Sequence, residues 1–347
     1  MRIPYDVVEE TIKKVMLNAG LTEQQAQTCA RIHAQSSADG VESHGLNRVP
    51  RFVEYVRRGL VDPQGSPELL KAKGAVENYD GHLGIGITNA LFCADRAMEL
   101  AKEHGIGCVA LKNSSHWMRG GTYAWRMAEA GFMGICWINT ESCMPLWGSD
   151  RPGVGNNPFC IGIPREDGPI VLDMAMSQYA YGKLGVYRLA GKQLPYPGGF
   201  DREGKLTCDP GAIEESRRVL PVGYWKGSGM AIALDMAAAL MAGGSSGSDM
   251  DEAGQGSCVG CCQIFIAYDP YLFGTREEIQ DMLNRRVAAA DASHPDRDGG
   301  RVVCPGERTL SARERSMREG VNVDQAVWRQ VTAMAGGDLD VGDISGR

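Results

Sequence analysis

Ser43-His44-Gly45-Leu46-Asn47-Arg48 sets an imidazole and a guanidinium four residues apart. On a helix that spacing sends both side chains from one face. An imidazole that titrates near neutrality gives or takes a proton. A guanidinium one turn away grips a carboxylate with its N–H fork. Together they offer what a 2-oxo acid needs, an anchor for its carboxylate and a proton for its ketone. A solvated helix face with a neighbouring charge has the same spacing, so the pair alone does not decide.

A second cluster is His116-Trp117-Met118-Arg119-Gly120-Gly121. A short apolar run ends there, a polar turn carries a histidine, and a helix is expected to start at the two glycines. That geometry aims free backbone N–H groups at an anion, with Arg119 adding charge; the alternative is an ordinary strand-to-helix turn. Trp225-Lys226-Gly227-Ser228-Gly229 opens a helix in the same manner, and Lys226 is either a ribose or phosphate contact or an exposed lysine beside a cap. Asp173 closes the apolar run Ile170-Val171-Leu172, where a carboxylate either meets ribose hydroxyls or caps a turn. No G-x-G-x-x-G fingerprint, phosphate-loop lysine or G-x-S-x-G elbow occurs, which argues against ordinary dinucleotide folds and serine hydrolases. Cys258-Val259-Gly260-Cys261-Cys262 holds one C-x-x-C without a second pair, so no metal is expected. His33, His82 and His104 read as structural or solvated.

The elements that must position these groups follow from periodicity. Helices are predicted over 4–19, 22–38 (opened by a Thr22/Gln25 capping box), 48–58, 84–103, 122–130, 230–241, 277–290, 311–319 and 323–334. Strands are predicted over 108–111, 134–139, 159–163, 170–174 and 263–268. Residues 61–80 read as an irregular linker, 192–212 as a surface excursion, 243–257 as a mobile Gly/Ser loop and 336–347 as a disordered tail. The mixture points to an α/β or α+β fold with a helical appendage. Residues 1–75 form a helical unit, joined in space by C-terminal helices 277–334, and 76–276 form the α/β domain that binds nucleotide and substrate.

The 347 residues are 43% hydrophobic and 23% charged, enough for a sizeable core, and the net charge of −7 argues against nucleic acid or anionic membranes as partners. No apolar leader or membrane-length run is visible, and a reducing cytoplasm with eleven free cysteines is expected.

Three segments resemble the type-2 malate/L-lactate dehydrogenase family: Asp39-Gly40-Val41-Glu42-Ser43-His44-Gly45-Leu46-Asn47-Arg48, Gly155-Asn156-Asn157-Pro158 and Leu172-Asp173-Met174-Ala175. The segments from His116, from Leu189 to Asp201 and from Leu220 to Gly229 bring the chain nearest to a branch that reduces a diketo sugar acid. The resemblance implies a non-Rossmann NAD-binding fold, a mixed sheet with helices, and a homodimer with its sites near the subunit interface. It implies NAD(P)H-dependent reduction of a 2-oxo acid, with NAD(H) as cofactor and NADP(H) left open. It maps the catalytic histidine to His44, or in some members to the histidine matching His116; the residues themselves make Arg48 the expected carboxylate anchor, with His116 either a sharer of the acid role or a group that orients the nicotinamide. Cofactor contacts are implied at Ile170, Val171, Leu172, Asp173, Met174, Ala175, Trp225, Lys226, Pro305, Gly306 and Glu307, and from the residues themselves they are expected also at His116, Gly120, Gly121, Asn156 and Pro158. Ser43, Asn47, Arg48, Trp117 and Thr140 would line the substrate pocket. Malate, lactate, ureidoglycolate or a cyclic imine are the alternative substrates, and a silent dinucleotide-binding protein is the alternative of another class. The chain departs from the pattern at Asn156, where threonine is common, and over 243–262.

Overall fold

The computed structural model describes residues 1–296 and 300–339. Helices α1 (Tyr5–Asn18) and α2 (Glu23–Ala38) open the chain, and the Thr22/Gln25 capping box forms as the sequence requires. Two 3-10 turns, Glu42–His44 and Leu46–Arg48, lead into α3 (Val49–Arg57). Strands β1 (Glu68–Lys73) and β2 (Val76–Asp80) make a hairpin where a linker was expected. Every residue of β1 is exposed, so the strand carries no alternating apolar pattern to read.

Next come α4 (Gly86–His104), β3 (Ile106–Ser114), α5 (Gly121–Glu129), β4 (Met133–Ile138), β5 (Phe159–Ile163) and β6 (Ile170–Met174). The predicted excursion at 192–212 lies between α6 (Tyr181–Leu189) and α8 (Trp225–Ala242); it holds a two-stranded ribbon and the start of α7 (Pro210–Ser216). The expected mobile loop contains α9 (Gly247–Ala253), opened by a Ser246/Asp249 capping box. The chain ends with β7 (Cys261–Tyr268), α10 (Arg276–Asp291), α11 (Glu307–Glu319) and α12 (Gln325–Ala335). Residues 336–339 are not a loose tail: Asp338 N donates to Ala333 O at 3.2 Å, Arg57 donates to Leu339 O at 2.6 Å, and Leu339 packs on the helical core. The remainder of the predicted tail, 340–347, lies outside the described residues.

The seven strands run in the order β1-β2-β3-β7-β4-β5-β6, and only β2 and β3 are parallel, joined through α4. The sheet is therefore mixed, and the architecture is α/β without a doubly wound parallel core. Central strand β7 is buried on both sides. Cys261, Phe265 and Ala267 face the core beneath α4 and α5, while Cys262 and Ile264 face the core shared with α8. A third core joins α1, α2 and α3 to α12, with Val8, Ile12, Phe52, Val331 and Met334 at its centre. Of the C-terminal helices, α11 and α12 pack on this helical unit. Helix α10 does not: Gln280 and Asn284 hold it against the β5–β6 turn at Pro164 and Arg165. Among the described residues no single helix is long and apolar enough to cross a membrane.

Candidate active site

His44 is fixed from behind by α2. His33 is fully buried, and its Nδ1 lies 3.0 Å from Gly45 O; a carbonyl only accepts, so Nδ1 carries the proton. Ser37 Oγ accepts from Leu46 N at 2.8 Å and donates to His33 O. Gly45 is required in this turn, because a Cβ there would stand 2.1 Å from Ser37 Oγ. The segment is not one helix: His44 and Arg48 stand on separate 3-10 turns and are not one α-helical turn apart. Gly182, at the start of α6, lies against Ser43 from the other side.

His116 arrives from the far end of β3. Ser115 Oγ, accepting from Gly86 N and donating to Gly84 O, ties its loop to the start of α4. The His44 and His116 rings stack with centroids 5.6 Å apart and planes at 30°. Arg48 and His116 line one narrow cavity with Arg51, Phe52, Tyr55, Ser115 and Met118. Arg48 Nη2 donates to Ser257 Oγ at 3.2 Å, and Ser257 N donates to Tyr55 Oη at 2.8 Å. The segment 254–260, anchored also by Cys258 N on Glu141 Oε2, thus closes one side of the site.

The imidazoles differ in their hydrogen bonds. Met118 N–H donates to His116 Nδ1 at 2.9 Å, so that nitrogen is bare and the neutral ring carries its proton on Nε2. His44 Nδ1 meets Ser43 Oγ at 2.9 Å, a hydroxyl that turns to donate or accept. Burial, then the Arg48 charge, lowers the His44 pKa to about 4, against a raising influence from Asp173. Burial, then Arg48, then His44 lower His116 well below the ordinary histidine range. Burial lowers His33 to about 4.

Arg119 does not serve as the free charge of an anion site. It is buried, with Nη1 on Asp39 Oδ2 at 2.5 Å and Nε on Asp173 Oδ2 at 2.9 Å. Arg313 of α11 forks onto the same Asp39 at 2.8 and 3.0 Å. Gly121 opens α5 as expected, and its bare Cα admits the Asp173 carboxylate, since a Cβ there would fall 2.4 Å from Oδ2. Gly120 is packed between Trp117 and Cys160. Trp117 is buried against Tyr123 and Phe265 and belongs to the core, not to a pocket wall. Thr140 is buried too. Its N–H donates to Asn157 Oδ1 at 2.9 Å and its hydroxyl faces Asn156 and Asn157, bonds that serve the local turn. Asn47 is exposed on the second 3-10 turn.

The segments expected to meet the cofactor converge on β6, an edge strand of the sheet. Val171 N donates to Pro305 O at 3.1 Å, which lays Pro305-Gly306-Glu307 along that edge. Strand alternation puts the N–H and C=O of Asp173 on the same outer side, where the sheet does not use them. Beyond Met174 and Ala175 the chain meets the entry to α8 through Val222 N on Met176 O at 2.8 Å, and this brings exposed Trp225 and Lys226 to the strand's end. Asn156 O accepts from Met176 N, and Pro158 O accepts from Ile138 N, holding the neighbouring turn. Ile170, Leu172 and Met174 pair with β5. An open strand edge with a second loop beside it suits an extended ligand rich in hydrogen-bonding groups.

A family model described as malate/L-lactate dehydrogenase matches residues 3–332. The chain belongs to the malate/L-lactate dehydrogenase family. It is 41% identical over 337 residues to a 2,3-diketo-L-gulonate reductase of Klebsiella pneumoniae, across 96% of this chain and 100% of that one. Sulfolactate dehydrogenase from Methanocaldococcus jannaschii superposes with a TM-score of 0.86 at 25% identity, covering 97% of each chain. Malate dehydrogenase from Entamoeba histolytica shares the fold, with a TM-score of 0.91 at 21% identity over 99% of each chain. As a member of this family the protein is an oxidoreductase of hydroxy and oxo acids.

Sequence reading missed Arg51, Tyr55, Ser257 and Asp39 as parts of the site. Arg51 and Tyr55 follow Arg48 by three and seven residues on a helix-forming stretch, a usable signal. Ser257 is 209 residues from Arg48 and gives none. Among the described residues no group of three His, Cys, Asp or Glu side chains could hold a metal ion.

The lowered histidines make stability depend on pH. Unfolding restores an ordinary pKa near 6.5, so between about pH 6.5 and 4 the unfolded chain binds more protons than the folded one. Their contribution is complete above pH 6.5 and is lost as the pH falls through that window. The melting temperature should drop steadily from pH 6.5 to 4 in calorimetry, and a flat profile there would contradict the assignment.

Proposed function

We propose that the protein reduces a 2-oxo acid with a nicotinamide dinucleotide, and that its substrate is 2,3-diketo-L-gulonate, reduced at C2 to 3-keto-L-gulonate. The stacked His44 and His116 pair beside Arg48 is the observation that carries this reading. The similarity to diketogulonate reductases over nearly the whole chain supports the substrate.

Arg48 takes the C1 carboxylate with its fork, at the hydrogen-bonding end now held by Ser257. That pairing neutralises the charge that most disfavours protonation of His44 after burial, so the histidine gains a proton as the anionic substrate arrives. His116 stays neutral, because protonation at Nδ1 would forfeit the Met118 N–H bond; its Nε2–H is a fixed donor for a carbonyl. The β6 edge, Pro305-Gly306-Glu307 and Trp225-Lys226 hold the dinucleotide, which supplies a hydride when bound. As the C2=O bond becomes C2–H and C–O⁻, His44 passes its proton to that oxygen. The rate gain comes from positioning and from charge stabilisation at the oxyanion. Reduction therefore slows with rising pH, and oxidation of the hydroxy acid quickens.

The outward face of α8 carries Trp225, Met230, Met236 and Leu240, all exposed, with Leu240 84% accessible. A second copy of the chain over this face would bury it, which supports a homodimer. All eleven cysteines are unpaired, in keeping with action in a reducing cytoplasm.

Loss of reduced-nicotinamide absorbance, followed with 2,3-diketo-L-gulonate, pyruvate and oxaloacetate, tests the reaction. Fast turnover of the diketo sugar acid is expected; turnover of the small acids alone would discard that substrate and keep the reaction. His44→Ala should lower kcat by about 10²–10⁴-fold with dinucleotide affinity unchanged, and full activity in that variant would sink the mechanism. Arg48→Ala should raise KM, and kcat should fall as well if the guanidinium orients the ketone. In sedimentation the protein should run as a dimer, and a monomer at assay concentration would remove that part of the reading.

A further inference from the structure

Helix α11 has two unlike faces. Its inner face is fully employed: Thr309 meets Arg119, Arg313 forks onto Asp39, and Ser316 Oγ donates to Ala38 O. Its outer face presents Arg308, Ser311, Ala312 and Arg315 at the three-, four- and seven-residue steps of one helical side. With Arg301, Val303 and Glu307 these residues line a cavity of about 190 Å³, room for several water-sized groups. The carboxylate in its wall is already used, since Glu307 accepts from Arg301 Nη2 at 2.7 Å and from Cys304 N at 3.0 Å. Among the described residues Arg308 and Arg315 have no ion pair or hydrogen bond. Two guanidiniums without an ion pair, of which Arg315 also acts at longer range on the Glu319 carboxylate, and a hydroxyl thus converge on one cavity of a chain whose net charge is −7.

Its place gives the charge a meaning. Arg308 follows Pro305 by three residues, and Pro305 O is bonded to Val171 N on the β6 edge. Asp173 lies two residues further along that strand, about 7 Å, and bonds Arg119, three residues after His116. A dinucleotide with its nicotinamide at the histidines and its length along β6 would bring its adenosine end to this cavity. We propose that the α11 cavity is a phosphoryl-binding subsite for the adenosine end of the dinucleotide, with Arg308 and Arg315 as its anion donors and Ser311 as a hydroxyl partner. This rests on the reading of β6 as the cofactor edge. A planar guanidinium fork matches phosphoryl oxygens, and two together favour a doubly charged group.

The test is calorimetric binding of NADPH, NADH, 2′-AMP and 5′-AMP to the native protein and to the double variant Arg308→Ser/Arg315→Ser. A 2′-phosphate source predicts that the variant loses NADPH and 2′-AMP affinity by about tenfold or more, roughly one charge-assisted pair, while NADH and 5′-AMP move less than about twofold. A pyrophosphate source predicts equal loss for NADPH and NADH, and also supports the subsite. Unchanged affinity for all four compounds overturns it. If the native protein binds neither dinucleotide, the functional reading fails separately, and 2′-AMP then decides the subsite: binding lost in the variant keeps it, and no binding ends it. Both substituted residues are on the surface, so circular dichroism and melting temperature should match the native protein.

Discussion

Arg119 ties together the parts on which the site depends. Its guanidinium is buried between Asp39, at the end of α2, and Asp173, on the edge strand β6, while Arg313 of α11 completes the charge balance at Asp39. The helical unit that carries His44, the loop that carries His116 and the strand edge assigned to the cofactor therefore meet at one ion network. Such networks add little net stability against an apolar substitute, yet removing one partner strands a buried charge and typically costs about 3–5 kcal/mol. Their value here is geometric. Asp39 is five residues ahead of His44 and Arg119 is three residues after His116, so the network sets the separation of the two rings.

Around that anchor the two histidines have different duties written into their hydrogen bonds. A backbone N–H holds His116 in one neutral tautomer, whereas a serine hydroxyl leaves His44 free to change state. Both rings are discouraged from charging by burial and by Arg48. In the proposed reaction the site waits in a neutral form, and the arrival of the anionic substrate would make its acid. Substrate recognition would in that reaction be linked to proton supply without a moving domain. The cavity between Arg48 and His116 is narrow, so the proposed sugar acid would need side chains of α3 or the 254–260 segment to shift on entry.

Much of this was legible in the sequence, and the failures have physical causes. Helices with a clean apolar stripe or a capping box, such as α2, appear close to where periodicity puts them. The catalytic candidates were found because their residue types are rare together and their motif resembles a known family. The β1–β2 hairpin escaped because β1 is wholly exposed and has no buried face to impose alternation. Helix α9 was hidden by glycine and serine, although Ser246 and Asp249 spelled its cap. Arg119 looked like an anion donor because its true partner, Asp39, is 80 residues away. Trp117 looked like a pocket wall because burial on a sheet is invisible in a polar turn. Local signals were readable; pairings across the fold were not.

The central claim is that His44 changes protonation state on substrate binding while His116 does not. Nitrogen-15 NMR of histidine-labelled protein, with and without a non-reacting carboxylate analogue of the substrate, measures this directly. The expected result is a His116 ring that remains in its Nε2–H neutral form across the titration, and a His44 ring whose pKa rises from about 4 when the analogue binds. If His116 takes up the proton, or if both rings titrate near 6.5 regardless of ligand, the account is wrong.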